Sequence, residues 1–189
     1  MTRLILASGS PRRAEMLARI TTEYKIVIPD IDETMVADEN PKDMVERLAI
    51  EKAEAVIKKT HGKLPVLAAD TIVVHERVLG KPIDEDDACQ MLADLSDDSH
   101  FVITGVSIIN PHNSKRMSFT ETTEVFFGPI SKEEIREYVI SKEPMDKAGA
   151  YGIQGAGGRF ITKINGCFYN VMGFPFNKIY TSLKELDII

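Results

Sequence analysis

The sequence is short of cysteine, of long apolar runs and of positive charge, and each shortage excludes something. Its two cysteines, Cys89 and Cys167, lie far apart without paired spacing. No disulfide framework is therefore expected, and a reduced, cytoplasmic setting is. No segment approaches the ~20 apolar residues of a membrane helix. The start carries Arg3 but no apolar stretch or small-residue cleavage site, so neither a membrane anchor nor a secretory leader is expected. With 29 acidic against 23 basic residues the net charge is −6. In the absence of a basic or aromatic-rich stripe, nucleic acid is not an expected partner. A small anion stays compatible, because a local basic pocket can sit within an acidic protein. The four histidines, His61, His75, His100 and His112, lack metal-ligand spacing. Also missing are the G-x-x-x-x-G-K-S/T phosphate loop, a G-x-G-x-x-G after the first strand, and the G-x-S-x-G nucleophile elbow.

What is present is an ordinary globular composition, 43% apolar and 28% charged over 189 residues. That supports one hydrophobic core and one domain spanning residues 1–189. Apolar patterning predicts strands at Arg3–Ala7, Tyr24–Ile28, Val66–Val74, Phe101–Ile109, Met117–Phe127 and Phe160–Ile164. Helices are predicted after Ser10, from Asn40-Pro41 to about Thr60, from Asp84 to Leu95, from the capping box "SKEE" at Ser131 to about Ser141, and from about Pro175. Strands and helices alternate early and strands dominate the middle, which implies an α/β protein with a mixed, strongly twisted sheet and flanking helices.

Four features do not fit a plain core. In "LILASGSPRRAEML", a buried strand gives way to a helix through Ser8, Gly9, Ser10, Arg12 and Arg13. A helix N-terminus with bare backbone, hydroxyls and guanidinium forks suits phosphate. A routine capped helix with solvated arginines is the plainer alternative. Lys52 falls in the helical row of Met44, Leu48 and Val56. It either snorkels at the stripe's edge or projects toward an anion. Asp70 interrupts "VLAADTIVV", the most apolar segment, where a carboxylate needs a cation, a metal or several donors. Asp32 and Glu33 in the acidic loop "PDIDETMVADENP" are candidates for a second oxygen ligand, and Lys81 follows in "LGKP". Finally, "DKAGAYGIQGAGG" (Asp146 to Gly158) holds five of the 12 glycines. Such a loop can wrap a planar or anionic ligand, whereas a flexible surface loop would seldom interleave Tyr151, Ile153 and Gln154. Oxygens and cations of this kind suit Mg²⁺ or Mn²⁺ with a polyphosphate.

The motifs "LASGSPRR", "RLAIEKA", "AADTIV", "GKP" and "DKAGAYGIQG", in this order, resemble the Maf family of nucleoside triphosphate pyrophosphatases. The resemblance runs from Leu4 to the "VMGFP" segment at Val171 to Pro175. It implies a fold similar to inosine triphosphate pyrophosphatases, a twisted sheet with a cleft between two lobes. It also implies metal-dependent cleavage of a nucleoside triphosphate to monophosphate and pyrophosphate. By the same resemblance, Asp70 is the catalytic proton acceptor and also a metal ligand with Glu33, while Ser8, Arg13, Lys52 and Lys81 surround the phosphates. Arg12, Thr71 and Gln154 are the specificity positions, in the combination of the branch acting on dTTP and UTP. Modified pyrimidine nucleotides are further candidates. A nucleotide-binding sensor linked to septum formation, binding without turnover, is the alternative function. A homodimer is one outcome that an open strand or helix face would allow.

Overall fold

A computed structural model of the chain describes residues 3–189. The chain divides into two compact units. One takes the chain up to Asp70, Thr104–Glu121 and Gly173–Ile189; the other takes Thr71–Ile103 and Thr122–Met172.

In the first unit β1 (Leu4–Ala7) pairs in parallel with β2 (Tyr24–Ile26) and with the start of β3 (Val66–Val74). The crossovers are α1 (Pro11–Ala18) and α2 (Pro41–Lys59). Both helices begin with proline at the first turn, where the missing N–H costs nothing. Asn40 caps α2 by accepting from the Lys42 N–H at 2.9 Å. Ala53 and Val56 of α2 pack on Ile5, Ala7, Val66 and Ala68. The helix comes close to β5 (Ser99–Asn110) at Gly105, where a Cβ would lie 2.2 Å from the Val45 carbonyl oxygen. Only glycine admits a backbone that near. The unit ends in α6 (Phe176–Glu185).

The second unit packs α3 (Glu85–Leu95) and α4 (Lys132–Ile140) around Leu92, Leu95, Tyr138 and Val139. Both expected caps are present. Asp84 accepts from the Asp87 N–H at 2.8 Å. Ser131 and Glu134 form the reciprocal capping box. An aromatic group of Phe127, Tyr138, Tyr151 and Phe160 fills the core, with His100 edge-on to Phe127 and Tyr151. Here β4 (Val78–Leu79) pairs antiparallel with β3, and β7 (Ile161–Asn165) with β6 (Lys115–Phe127).

The strand order is β2-β1-β3-β5-β6-β7 with β4 on β3, the expected mixed α/β sheet with flanking helices. Several expected boundaries shift. The second strand stops at Ile26 rather than Ile28, although the Val27 N–H still donates to the Leu6 carbonyl at 3.1 Å. The two-residue β4 and the four-residue α5 (Phe168–Val171) are too short to show a period. No helix among the described residues is long and apolar enough to cross a membrane.

Candidate active site

Asp70 lies within β3 with its side chain only 11% exposed. Its partner comes from α2. Lys52 Nζ is 2.6 Å from Asp70 Oδ1 and 2.9 Å from Glu33 Oε1. The lysine is as buried as the aspartate, so it does not snorkel. It serves two carboxylates on one ammonium, rather than waiting unpaired for an anion. A buried carboxylate without that cation would cost several kcal/mol.

Glu33 reaches this point from the acidic loop between β2 and α2. Its neighbour Asp32 turns elsewhere. Asp32 Oδ1 accepts the Thr34 N–H at 2.9 Å and the Thr34 hydroxyl at 2.5 Å. That closes a turn in which Glu33 is the middle residue and faces Lys52. Of the two acids the sequence offered, Glu33 is the one that reaches Lys52. The far end of the loop is fastened by a two-pronged contact. Arg47 Nε and Nη2 donate to the two oxygens of Glu39, each at 2.7 Å. These hydrogen bonds to Glu39 raise the Arg47 pKa above its usual value. Sequence reading passed over Arg47 and Glu39. The only signal was an arginine on the helix with an acid eight residues before it.

Ser8 and Arg13 form the other wall. Ser8 is buried where β1 ends, and its Oγ accepts the Ser10 N–H at 3.1 Å. Ser10 caps α1 through the Arg13 N–H at 3.5 Å. Arg13 Nη1 donates to the Ala69 carbonyl at 2.8 Å and to Ser8 Oγ at 3.4 Å, and Nε donates to the Gly173 carbonyl at 2.9 Å. Burial lowers the Arg13 pKa, with Arg12 acting in the same direction and Asp70 and Glu33 opposing. Arg13 is thus strapped to the backbone next to Asp70, where a solvated helix-start arginine would have swung freely. Arg12 is half-buried on the same turn. Gly9 is exposed, and a Cβ there would meet only Ile28 at an ordinary 3.7 Å. The fold itself does not demand glycine at that point.

The structure therefore brings Ser8, Arg13, Glu33, Lys52 and Asp70 together within the first unit. Thr71, Lys81 and Gln154 belong to the second. Thr71 follows Asp70 along β3, so its side chain points to the opposite face of the strand. Lys81 is exposed between Gly80 and the buried Pro82. The Gly80 carbonyl accepts the Gly149 N–H at 3.0 Å, which joins "GKP" to the glycine-rich segment. Gln154 is exposed at the tip of a turn closed by the Gly155 N–H on the Gly152 carbonyl at 3.2 Å.

Among the described residues no group of three or more histidine, cysteine or acidic side chains could hold a metal. Glu33 and Asp70 still offer oxygens of the right kind, although both are shared with the Lys52 ammonium. Carboxylate oxygens are the chemistry a hard divalent cation takes, and two of them would leave the rest of its ligands to be supplied from outside the chain.

Comparison with known proteins bears on this arrangement. Over its full length the chain is 48% identical to a dTTP/UTP pyrophosphatase of Bacillus cereus, covering 97% of that protein. It is 47% identical over 188 residues to the dTTP/UTP pyrophosphatase of Bacillus mycoides, again covering 97% of it. Among solved structures the Ham1 protein of Staphylococcus aureus aligns over 97% of this chain and 99% of its own. The TM-score is 0.54 at 16% identity, a likeness of fold alone. Residues 3–186 match the family described as Maf-like protein, and with nearly the whole chain inside that match the chain belongs to the Maf-like family.

Proposed function

We propose that the chain hydrolyses dTTP and UTP, and modified pyrimidine nucleotides of the same kind, to the nucleoside monophosphate and pyrophosphate with the help of Mg²⁺ or Mn²⁺. Full-length relatives named dTTP/UTP pyrophosphatase support nucleoside triphosphate hydrolysis. The observation that carries the chemical reading is the ammonium of Lys52 between Asp70 and Glu33, beside the β1–α1 turn. It joins a carboxylate suited to accept a proton with donors suited to phosphate.

In this reading the triphosphate lies at Ser8, the N-terminus of α1 and Arg13, where backbone N–H groups and a fixed guanidinium meet negative charge. Asp70 accepts the proton of the attacking water as the phosphorus–oxygen bond to the leaving pyrophosphate breaks. Lys52 and Lys81 offset the charge that gathers on that leaving group. Glu33 and Asp70 would hold the divalent cation, which would supply polarisation of the phosphate oxygens. Arg12, Thr71 and Gln154 read the base. The match over residues 3–186 supports treating the whole chain as one functional domain. Cys89 and Cys167, both free thiols, suit a reduced, cytoplasmic setting.

The test is a panel of nucleoside triphosphates with Mg²⁺ or Mn²⁺, scoring pyrophosphate separately from orthophosphate. Pyrophosphate from dTTP and UTP well ahead of the purine nucleotides is the expected result. Orthophosphate as the sole product would refute it. Tight binding without turnover would favour the nucleotide sensor.

A further inference from the structure

The glycine-rich segment is packed against its own chain, and the packing has a centre. Glu143 lies in a short 3-10 turn after α4. Its Oε2 accepts the Ala156 N–H at 3.0 Å, and its Oε1 accepts the Gly157 N–H at 3.3 Å and the Tyr138 hydroxyl at 2.8 Å. The Tyr138 oxygen in turn accepts the Gly152 N–H at 3.2 Å. One carboxylate and one phenol therefore hold both shoulders of the turn whose tip is Gln154.

The glycines make room for this. A Cβ on Gly155 would lie 2.1 Å from Glu143 Oε1, and one on Gly157 would lie 2.5 Å from the Tyr138 oxygen. On Gly152 it would meet Lys147 Cε at 2.7 Å. Lys147 itself donates to the Glu143 carbonyl at 2.5 Å and to Asp146 at 2.6 Å. Burial pushes the Glu143 carboxyl up, and the hydrogen bonds from Ala156, Tyr138 and Gly157, together with the nearby charge of Lys147, more than reverse it, leaving it below the ordinary carboxylate value. The acceptor thus stays ionised at neutral pH. Gln154 is exposed, so its place is set by the turn on which it stands.

We infer that Glu143, working with Tyr138, is a positioning residue for base selection: it holds the Gly152–Gly157 turn so that the Gln154 side chain stands where its amide reaches the pyrimidine edge. The inference rests on the proposed role of Gln154. Uracil presents adjacent O4 and N3–H, which one amide can complement, while cytosine presents an amino group and a bare N3, which requires the amide reversed. A loosely held turn spreads the amide over positions that contact the base poorly, so the contact that favours uracil is lost. Losing the anchor should therefore erode discrimination and leave the hydrolytic groups of the first unit alone.

The experiment measures kcat and KM for UTP and CTP in the parent, Gln154→Ala, Glu143→Ala, Glu143→Gln, Tyr138→Phe and the Glu143→Ala/Gln154→Ala pair. Glu143→Ala should cut the UTP-to-CTP ratio of kcat/KM about tenfold, chiefly through KM for UTP. Glu143→Gln keeps one acceptor and should recover part of the ratio. Tyr138→Phe, close in shape and chosen to fold if the alanine variant does not, should show a smaller loss in the same direction. The pair should lose no more than Gln154→Ala alone, because the two residues act through one contact. Amide exchange at Ala156 and Gly157 should quicken in Glu143→Ala. If Gln154→Ala lowers the ratio while the Glu143 and Tyr138 variants keep it, the positioning role is overturned and the base reading stands. If Gln154→Ala leaves the ratio unchanged, both are overturned.

Discussion

Lys52 holds two acids on one ammonium, so removing it acts twice. Lys52→Ala leaves Asp70 buried without its cation, a loss of about 3 kcal/mol, and takes a positive charge from the phosphate site. A thermal melt and an assay of pyrophosphate release should both fall. Added Mg²⁺ should then raise the Tm of Lys52→Ala more than that of the parent, since two carboxylates freed of the ammonium accept a divalent cation more readily. Equal shifts would argue against Glu33 and Asp70 as the metal's holders. Gly9 offers a separate test. Its Cβ space is open apart from Ile28, so Gly9→Ala should melt within about 0.5 kcal/mol of the parent. A methyl on the phosphate-facing backbone should nevertheless raise KM severalfold. At this scale the sequence was informative but incomplete. Asp70 and Lys52 each stand out as a charge in an apolar pattern. That they answer one another did not, because 18 residues and two kinds of element separate them. Nor did the choice of Glu33 over Asp32, which depends on a turn made by Thr34.

The elements that carry these residues owe their positions to local signals that can be read directly. Ser10, Asn40, Asp84 and Ser131 each cap the helix expected of them. What could not be read is where one element rests on another. Gly105 looks like any glycine in a strand, yet it is where α2 meets the sheet, with the Val45 carbonyl in the space of a Cβ. Gly105→Ala must push the helix backbone away. A loss of about 3 kcal/mol in urea unfolding is expected, together with reduced turnover, because Lys52 rides on the displaced helix. A variant as stable as the parent would contradict that close approach. The glycine-rich segment teaches the complementary lesson. Its composition signals tight wrapping, but what it wraps is Glu143 and Tyr138 of its own unit, and neither lies in the segment.

For the whole molecule, the fold class was legible in the alternation of strands and helices. Its division came only through the family resemblance and not from patterning, since the chain passes between two units several times and long-range pairing decides where each segment goes. Acid stability is also a property of the whole molecule. His100 is buried against Tyr151, its Nε2 2.7 Å from the hydroxyl and its Nδ1 without a partner. Burial lowers its pKa from 6.5 to about 4. Between those values the unfolded chain binds a proton that the folded one refuses, so stability falls as pH drops, by about 3 kcal/mol in all. Urea unfolding at pH 7.5 and 4.5 should show that loss, and His100→Gln should flatten it. An equal slope in both proteins would assign the loss to other groups.

In the proposed reaction the carboxylate of Asp70 does chemistry as well as balancing Lys52. Alone, a buried acid would be eased by neutralisation; with Lys52 at 2.6 Å, Asp70→Asn takes a partner from a buried cation. Glu33 keeps hold of that cation, so a modest loss of about 1–2 kcal/mol is expected, and the protein stays folded. The direct measurement is pyrophosphate release from UTP by Asp70→Asn and the parent, at a temperature where melts show both folded. A fall in kcat of at least about a thousandfold is expected. Turnover within a few-fold of the parent would contradict it and leave Asp70 only a counter-ion for Lys52.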